Sequence, residues 1–505
     1  MKTFLSSKKL IYSFVLLPLV FAFIPYQNNS IDKNLSSKYS SIVIPIDGEE
    51  GEYADYSIEE FATGSSHSGA IVTDDNTGSD YLYTWGINDR GQLGLGEEAK
   101  DKYSTPQRVT DLPDNYKNLS NLSMGYNHSA VVVDNKLFTW GDNSKGQLGI
   151  GKGTDTKYKT PQLVTALSRN DVIIDVSLGN QTSAISMDTD DKDELYTWGY
   201  NDITQLGQGY DDDDGLSNKY SPVLVNQMEN SETPDTIQQI SMGNKGGSAI
   251  MDNELYAWGR NQDGELGFEK NNSATYNHPR PDKVAFPSNA VGAVEQISMG
   301  NSAKSASGSA IVDNELYTWG LNNKGQLGLG EDKKDTNYYT PQLVTFFVGK
   351  GTVEQISMGD SHSAAVLNDN NGDHLYTWGN NTDWELGLNN DSKSPEFAPQ
   401  EVTSLPKGDI KNISMGTNYS FAVVTDKNGD DYLYAWGDNS KGQLGIGDSE
   451  DKNVPQRVGP LHTPPDILFV QQWYFYLIIV IVVMFIIALI STFTILSIRK
   501  RKAIN

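Results

Sequence analysis

The chain contains no cysteine, which excludes disulfide bonds and thiolate chemistry. It has only six histidines, so few ligands are available for a zinc site and no metal or other cofactor is predicted. Basic residues are also scarce: 39 Lys and Arg stand against 65 Asp and Glu, a net charge of −26. Such an acidic chain lacks the basic patch that nucleic acid requires, and it favours basic partner surfaces.

Motifs for catalysis are missing as well. The glycine-rich segments 91–96 and 325–330 read Gly-Gln-Leu-Gly-Leu-Gly, but neither is followed by the Lys-Ser/Thr of a phosphate-binding loop or by a helical pattern. No nucleophile elbow and no paired His-Glu motif occurs. The chain is therefore predicted not to be an enzyme.

Long apolar runs occur only at the two ends. Near the first, Lys2, Lys8 and Lys9 precede the uncharged run 10–23. This pattern predicts a secretory signal peptide, or an uncleaved signal anchor, over residues 1–26. No Ala-x-Ala cleavage site is visible, and a buried core helix is the alternative.

The second apolar run, Trp473–Ile498, contains no charged residue. It is long enough to cross about 30 Å of hydrocarbon as a transmembrane helix. Trp473, Tyr474 and Tyr476 suit an interfacial aromatic belt, and Arg499 opens a basic tail over 499–505. By the positive-inside rule the tail is cytoplasmic, so we expect a single-pass protein of the cell membrane with its body outside. An exported chain without disulfides fits a bacterial source.

Between these ends, the dipeptide Trp-Gly recurs at intervals of 55 to 61 residues. An Ile-Ser-Met-Gly-like segment precedes each Trp, a turn ending in Leu-Gly follows it, and a Pro-containing strand comes later. The seven tryptophans are Trp85, Trp140, Trp198, Trp258, Trp319, Trp378 and Trp436. Four signatures in one order define seven tandem repeats.

The repeats predict an all-β protein. Small β-branched segments such as 363–367 (Ser-Ala-Ala-Val-Leu) suit inner strands near a central axis, and the aromatic Trp strand packs on the next sheet. Asp-Asn pairs at 134–135, 252–253 and 313–314 predict two-residue hairpins. Proline in the last strand of a unit indicates a sheet edge. Because the end repeats are as regular as the others, a closed seven-bladed β-propeller is favoured over an open solenoid.

The segments Ile-Ser-Met-Gly-x-x-His-Ser, Leu-Tyr-Thr-Trp-Gly-x-Asn and Gly-Gln-Leu-Gly-x-Gly resemble the repeats of the regulator of chromosome condensation family. The resemblance implies a seven-bladed propeller. The founding member is a nucleotide exchange factor for a nuclear small GTPase on chromatin, and an exported acidic chain resembles it in fold only. No exchange residue is carried over.

The predicted organisation follows from these boundaries. An acidic polar linker covers 27–57, the propeller 58–458, a Pro-containing spacer 459–472, the transmembrane helix 473–498 and the tail 499–505. The linker is polar and the spacer stiff, so neither is expected to add a core.

Two recurrent features receive structural explanations. His67, His128 and His362 share one repeat position, whose equivalents are taken as Thr182, Gly247, Gly308 and Tyr419; a buried strand role is expected. The acidic turns 74–80, 188–191, 369–373 and 426–431 are explained by turn chemistry. Weak Ca²⁺ binding there is the alternative, although no turn completes the twelve-residue calcium loop.

Positions that break the repeat are the candidates for function, because the scaffold does not require them. Trp384 replaces a turn glycine, residues 301–307 form an insertion, and 269–285 is predicted to be a long loop. Exposed aromatic side chains are favoured interface anchors. The predicted partner-binding residues are Trp384, Tyr338 and Tyr339 (placed in a loop), Tyr276 and Tyr419.

The sequence is compatible with three functions. The first is a surface binding or adhesion module for an unknown protein or glycan at the cell exterior. The second is a structural surface scaffold without a dedicated ligand. Enzymatic activity, including nucleotide exchange by family resemblance, ranks third.

Overall fold

The computed structural model describes residues 56–459, apart from 152–155, 168–170, 190–191, 210–215, 227, 229–233, 270–276 and 301–305. Over these residues the chain forms seven four-stranded sheets, each built from four consecutive antiparallel strands. We number the sheets as blades 1 to 7 in chain order. The all-β, seven-bladed architecture predicted from the repeats is confirmed.

The strands have the following bounds. Blade 1 contains β1 (Tyr56–Thr63), β2 (His67–Asp74), β3 (Ser79–Ile87) and β4 (Lys102–Arg108); blade 2 contains β5 (Leu119–Met124), β6 (His128–Val133), β7 (Lys136–Asp142) and β8 (Lys157–Leu163). Blade 3 contains β9 (Val172–Leu178), β10 (Thr182–Asp188), β11 (Asp193–Gly199) and β12 (Lys219–Leu224); blade 4 contains β13 (Ile237–Met242), β14 (Gly246–Met251), β15 (Glu254–Arg260) and β16 (Asn277–Lys283). Blade 5 contains β17 (Val294–Met299), β18 (Ser307–Val312), β19 (Glu315–Gly320) and β20 (Tyr338–Leu343); blade 6 contains β21 (Thr352–Met358), β22 (His362–Asp369), β23 (Gly372–Gly379) and β24 (Glu396–Glu401). Blade 7 contains β25 (Asp409–Met415), β26 (Tyr419–Thr425), β27 (Asp431–Gly437) and β28 (Lys452–Arg457), and short 3₁₀ helices cover Thr165–Leu167 and Glu331–Lys333.

The first strand of each blade lies innermost. Each of these strands contacts the first strand of the next blade, and β25 contacts β1, which closes the ring. The small β-branched strand that was expected beside the axis is instead the second strand. Its residues are small because both of its faces are covered: in β6, β14 and β18 every residue is buried.

Among the described strands, none is exchanged between the two ends of the ring. Blade 1 uses only residues before blade 2, and blade 7 only residues after blade 6. Closure therefore depends on contacts between the end blades: Phe61 and Trp85 of blade 1 share one buried cluster with Tyr419 and Phe421 of blade 7, and the Gly447 amide donates to the Ser104 carbonyl over 2.8 Å. The Ile58 amide also donates to Asp431 across this junction, over 3.2 Å.

Two-residue hairpins confirm the Asp-Asn prediction. Both turn residues have positive φ in blades 2, 4 and 5, for example 46° and 61° at Asp134 and Asn135. Asn and Asp tolerate this left-handed conformation better than most residues, because their short side chains hydrogen-bond locally. The proline of each unit lies in a fourth strand that pairs on one side only, as predicted for an edge.

No helix among the described residues has the length and apolar character needed to cross a membrane. The predicted signal segment 1–26 and the predicted span Trp473–Ile498 both lie outside the described residues.

Candidate binding surface

The strand order defines two ends of the propeller. One end carries the turns between first and second strands and the loops between third and fourth strands; we name it the loop face. The other carries the hairpins between second and third strands. Binding residues in rigid scaffolds lie mostly on loops. The loop face carries the longest loops, and Trp384 lies in one of them.

Adjacent blades are joined by a recurring chain of hydrogen bonds below the loop face. Between blades 1 and 2, His67 Nε2 lies 3.0 Å from Ser129 Oγ, which donates to the Gln92 carbonyl over 2.8 Å. Trp140 Nε1 donates to the same carbonyl over 2.8 Å. His128 and His362 repeat this arrangement with Ser183 and Ser420. The structural role predicted for the three histidines is confirmed.

Burial lowers the pKa of these imidazoles strongly. The pKa values of His67 and His362 fall to about 3 and that of His128 to about 4. Each ring is fully enclosed between two blades, so its charged form would be stripped of water. The imidazoles are therefore neutral hydrogen-bonding groups at neutral pH.

Strand pairing corrects which residues of blades 4 and 5 are equivalent to the three histidines. The residue at the histidine position pairs with the glycine that follows each Trp: His67 with Gly86, Gly246 with Gly259 and Ser307 with Gly320. The equivalents are thus Gly246 and Ser307, each one residue before the predicted Gly247 and Gly308. These two glycines occupy the serine position instead.

The junction between blades 3 and 4 lacks the whole hydrogen-bond chain. Thr182 replaces the histidine, Gly247 replaces the serine, and Trp258 Nε1 is buried with no partner in the described ranges. The Gln205 carbonyl consequently receives neither of the two bonds found elsewhere. Within the described part of the chain, no other junction loses all three groups.

Trp384 occupies a turn position that favours glycine. Its φ is 62°, in the left-handed region, where blades 1, 2, 4, 5 and 7 have glycine at φ 74° to 87°. Thr204 of blade 3, with φ 65°, is the other non-glycine residue in this slot. A left-handed conformation costs a bulky residue about 1–2 kcal/mol, so the backbone of this turn is strained.

The indole of Trp384 is half-buried in the loop face. Lys393 of the same loop places its ammonium 3.9 Å from the ring centroid, a cation–π contact. The indole Nε1 is buried and has no hydrogen-bond partner among the residues that the structure describes. Trp384 therefore combines a strained backbone with an unsatisfied donor, neither of which the fold needs.

The next residue, Glu385, also departs from the repeat. Glutamine occupies this position in blades 1, 2, 3, 5 and 7, and in blade 7 it donates to Asp438. In blade 6 the roles are exchanged, because Asn380 donates to Glu385. Burial raises the pKa of Glu385 to about 7. Sequence reasoning missed this pair, although its spacing of five residues was visible.

Blade 4 also has glutamate at the glutamine position, but the partner of that glutamate differs. Glu265 takes the glutamine position, and the guanidinium of Arg260, five residues earlier, lies 3.3 Å from its carboxylate. Burial raises the pKa of Glu265, and the nearby Arg260 charge opposes that rise. The two glutamates thus mark blades 4 and 6 as chemically distinct at the loop face.

The structure separates the other predicted partner residues. Tyr338 and Tyr339 begin strand β20 and do not lie in a loop; Tyr339 donates to the Gln262 carbonyl of blade 4 over 2.9 Å. The predicted loop 269–285 likewise contains strand β16. Tyr276 and residues 301–305 of the insertion lie outside the described residues.

The prediction that Tyr419 binds a partner is corrected by its burial. Its side chain is 0% exposed, so it cannot contact a partner on the folded ring. The hydroxyl donates to the His67 and Gly64 carbonyls, over 2.7 and 3.1 Å, and accepts from Ser68. Tyr419 thus replaces histidine at the junction that closes the ring.

The acidic hairpins connect neighbouring blades. In three of them one carboxylate accepts a backbone amide of the next blade: Asp80 from Leu119, Asp373 from Ile410 and Asp431 from Ile58. Others accept amides of their own turn, as Asp426 does from Asn428. The described residues contain no group of His, Asp or Glu placed to hold a metal ion. Weak Ca²⁺ binding at these turns stays a prediction.

The fold and the junctions define a seven-bladed propeller with sequence repeats. The family model described as "Regulator of chromosome condensation (RCC1) repeat" matches residues 79–132, 134–185, 192–250, 252–303, 313–366, 373–423 and 430–467. The chain belongs to this family. The first match begins in β3 and ends in β6, so the family repeat spans one blade junction.

Similar proteins have diverse descriptions. The chain is 28% identical over 341 residues to the ultraviolet-B receptor UVR8 of Arabidopsis thaliana, covering 67% of this chain and 69% of that one. It is 28% identical over 388 residues to the E3 ubiquitin-protein ligase HERC2 of Mus musculus, covering 75% of this chain but 7% of that one.

Solved structures share the fold. Prp20p of Saccharomyces cerevisiae, described with its binding to Gsp1p and histones, superposes with a TM-score of 0.63 at 22% identity, covering 75% of this chain and 85% of that one. Human WBSCR16 superposes with a TM-score of 0.61 at 21% identity, covering 76% and 94%. At such identities the likeness concerns the fold alone.

Proposed function

We propose that this chain is a membrane-anchored binding module that presents its propeller outside the cell and binds a protein partner on the loop face at Trp384. The family resemblance supports a protein partner, since Prp20p is described as binding Gsp1p and histones. The end segments support the anchor: an uncharged run at 473–498 is followed by four basic residues.

The conformation of Trp384 is the observation that carries this proposal. Strained residues persist where the surrounding structure or a function retains them. Glycine would relieve the strain at φ 62° and remove the unpaired indole donor. Tryptophan is among the residues most enriched at binding hot spots, so retention of Trp384 favours a role in contact with a partner.

The charge of the chain indicates the chemistry of that partner. With a net charge of −26, the chain attracts basic surfaces and repels acidic ones. Complementary charges raise association rates and suppress wrong partners more than they add affinity. A protein with a basic surface that surrounds an apolar pocket for the indole fits both features.

The test compares two glycine variants in the same turn slot. Full-length Trp384→Gly and Thr204→Gly chains, expressed in the native membrane, are cross-linked on intact cells and their captured proteins quantified against the wild type. Both variants replace a left-handed residue with glycine, but only the first removes a partly exposed indole.

We expect Trp384→Gly to lose at least about tenfold of one specific captured protein, because hot-spot truncations cost about 2 kcal/mol or more. Thr204→Gly is expected to retain it. Equal capture by Trp384→Gly and the wild type would contradict the proposal and favour a structural surface scaffold without a dedicated ligand.

A further inference from the structure

The chain enters and leaves the propeller at the end opposite the loop face, which carries the hairpins and which we name the hairpin face. Each first strand runs from the hairpin face to the loop face, and each fourth strand runs back. Accordingly Tyr56, the first residue of β1, pairs with Asp74 beside a hairpin. The Val458 amide, directly after β28, donates to the Leu433 carbonyl near the start of β27. Both ends of the propeller therefore lie on one face.

The two apolar segments of the sequence are thus connected to the same face. Only residues 460–472 separate Gly459, just beyond β28, from the predicted span Trp473–Ile498. At the other end, the predicted signal segment 1–26 precedes β1 along the chain. Whichever of the two segments lies in the membrane, its connection to the propeller begins at the hairpin face.

The length of the predicted spacer limits how far the propeller can turn. Residues 460–472 reach at most about 45 Å when fully extended. To bring the loop face to the membrane, the spacer would have to run back along the outer strand β28, whose 6 residues measure about 20 Å. Proline-containing segments are semi-rigid, and the spacer contains Pro460, Pro464 and Pro465, which oppose such a reversal. The short connection therefore favours the hairpin face as the side nearer the membrane.

The charges of the hairpin face argue against insertion of that face into lipid. Exposed aspartates occupy the hairpins of five blades: Asp75, Asp134, Asp252, Asp313 and Asp430. Such groups are costly to remove from water, and anionic headgroups repel them. The spacer, rather than direct contact with lipid, is therefore what keeps the hairpin face toward the membrane.

We propose that the hairpin face is the membrane-proximal side of the propeller and that the loop face points away from the bilayer. This orientation rests on the membrane anchor of the proposed function. Trp384 lies in a turn between a third and a fourth strand, and hence on the loop face. It is then presented to a protein that approaches from the medium, and is turned away from proteins embedded in the same membrane.

The absence of cysteine allows the full-length chain to be labelled at one introduced cysteine at a time. Glu98→Cys on the loop face and Asp75→Cys on the hairpin face form a matched pair in blade 1. Lys324→Cys on the loop face and Val291→Cys on the hairpin face form a second pair at blade 5. All four side chains are exposed. Each variant is reconstituted in phosphatidylethanolamine–phosphatidylglycerol vesicles that contain a headgroup-labelled acceptor lipid, and energy transfer from a donor on the cysteine is measured.

We expect more efficient energy transfer from the hairpin-face cysteine in both pairs, because the loop-face positions should lie about 20 Å farther from the acceptor lipids, the length of one strand. Equal or greater transfer from the loop-face cysteine of either pair would overturn the proposed orientation and leave the anchor intact. Removal of the chain from the vesicles by alkaline carbonate would contradict the anchor itself, and the orientation with it.

Discussion

Acidification to pH 4 is expected to destabilise the propeller, because three of its blade junctions contain neutral buried imidazoles. The pKa values of His67, His128 and His362 fall from 6.5 to between about 3 and about 4 on folding. Each shift corresponds to about 3–5 kcal/mol of stability. Because the folded pKa is the lower one, this stability is present above pH 6.5 and lost as the pH falls toward the folded values.

Buried carboxyl groups, Glu265 among them, oppose this loss at first. Burial raises the pKa of Glu385 to about 7 and that of Asp175 to about 6, so both groups destabilise the fold at neutral pH. Their protonation adds stability as the pH falls to about 4.5. The free energy of unfolding should therefore decrease by about 1–3 kcal/mol per pH unit from pH 6.5 to 4.5, and by up to about 3 kcal/mol per pH unit below.

Urea unfolding followed by tryptophan fluorescence at pH 8 to 4 measures this profile. Replacement of all three histidines with glutamine keeps an N–H donor for each serine and removes the titration. That variant should be stable to lower pH than the wild type. An unchanged acid midpoint in the triple variant would show that other groups cause the acid unfolding.

Tyr419→Ala is expected to reduce the free energy of unfolding by about 3–5 kcal/mol, the usual cost of removing a buried aromatic ring. The ring packs against Phe421, with centroids 5.8 Å apart, and its hydroxyl forms the bonds to blade 1. No strand is exchanged across this junction, so it lacks a strand ladder between the two blades and depends largely on side-chain packing. The loss should therefore be concentrated in blades 1 and 7.

Hydrogen exchange measured by mass spectrometry locates the effect. Amides of β1 should exchange faster in Tyr419→Ala, while those of β13 in blade 4 should stay protected. Tyr419→His is the matched control, because histidine bonds to serine at three other junctions and Ser68 is present here. Uniformly faster exchange in all blades would contradict closure by this side chain.

The repeated elements could be predicted because their signals are local. Each blade carries its own Trp strand, Asp-Asn turn or glycine turn, and proline strand, and seven copies reveal the spacing. The histidine position was misplaced in blades 4 and 5. It lies three residues after the glycine of Ile-Ser-Met-Gly in blades 1 and 4, at His67 and Gly246, but an insertion hides that spacing in blade 5.

The candidate sites were less predictable, because they depend on contacts between repeats. Trp384 stood out in the sequence as a replaced glycine. The missing hydrogen-bond chain between blades 3 and 4 did not, since Thr182 and Gly247 belong to different repeats whose register is known only from the strand pairing. Tyr419 was misjudged for the same reason: its partners Gly64 and Ser68 lie at the opposite end of the propeller sequence.

The free energy of unfolding of Trp384→Gly tests most directly whether Trp384 is kept for binding. Relief of the left-handed strain is expected to make this variant about 1 kcal/mol more stable than the wild type. Trp384→Ala keeps most of the strain, so its stability should change less. A Trp384→Gly variant less stable than the wild type by 1 kcal/mol or more would show that the indole is retained for packing, and would contradict the proposed binding site.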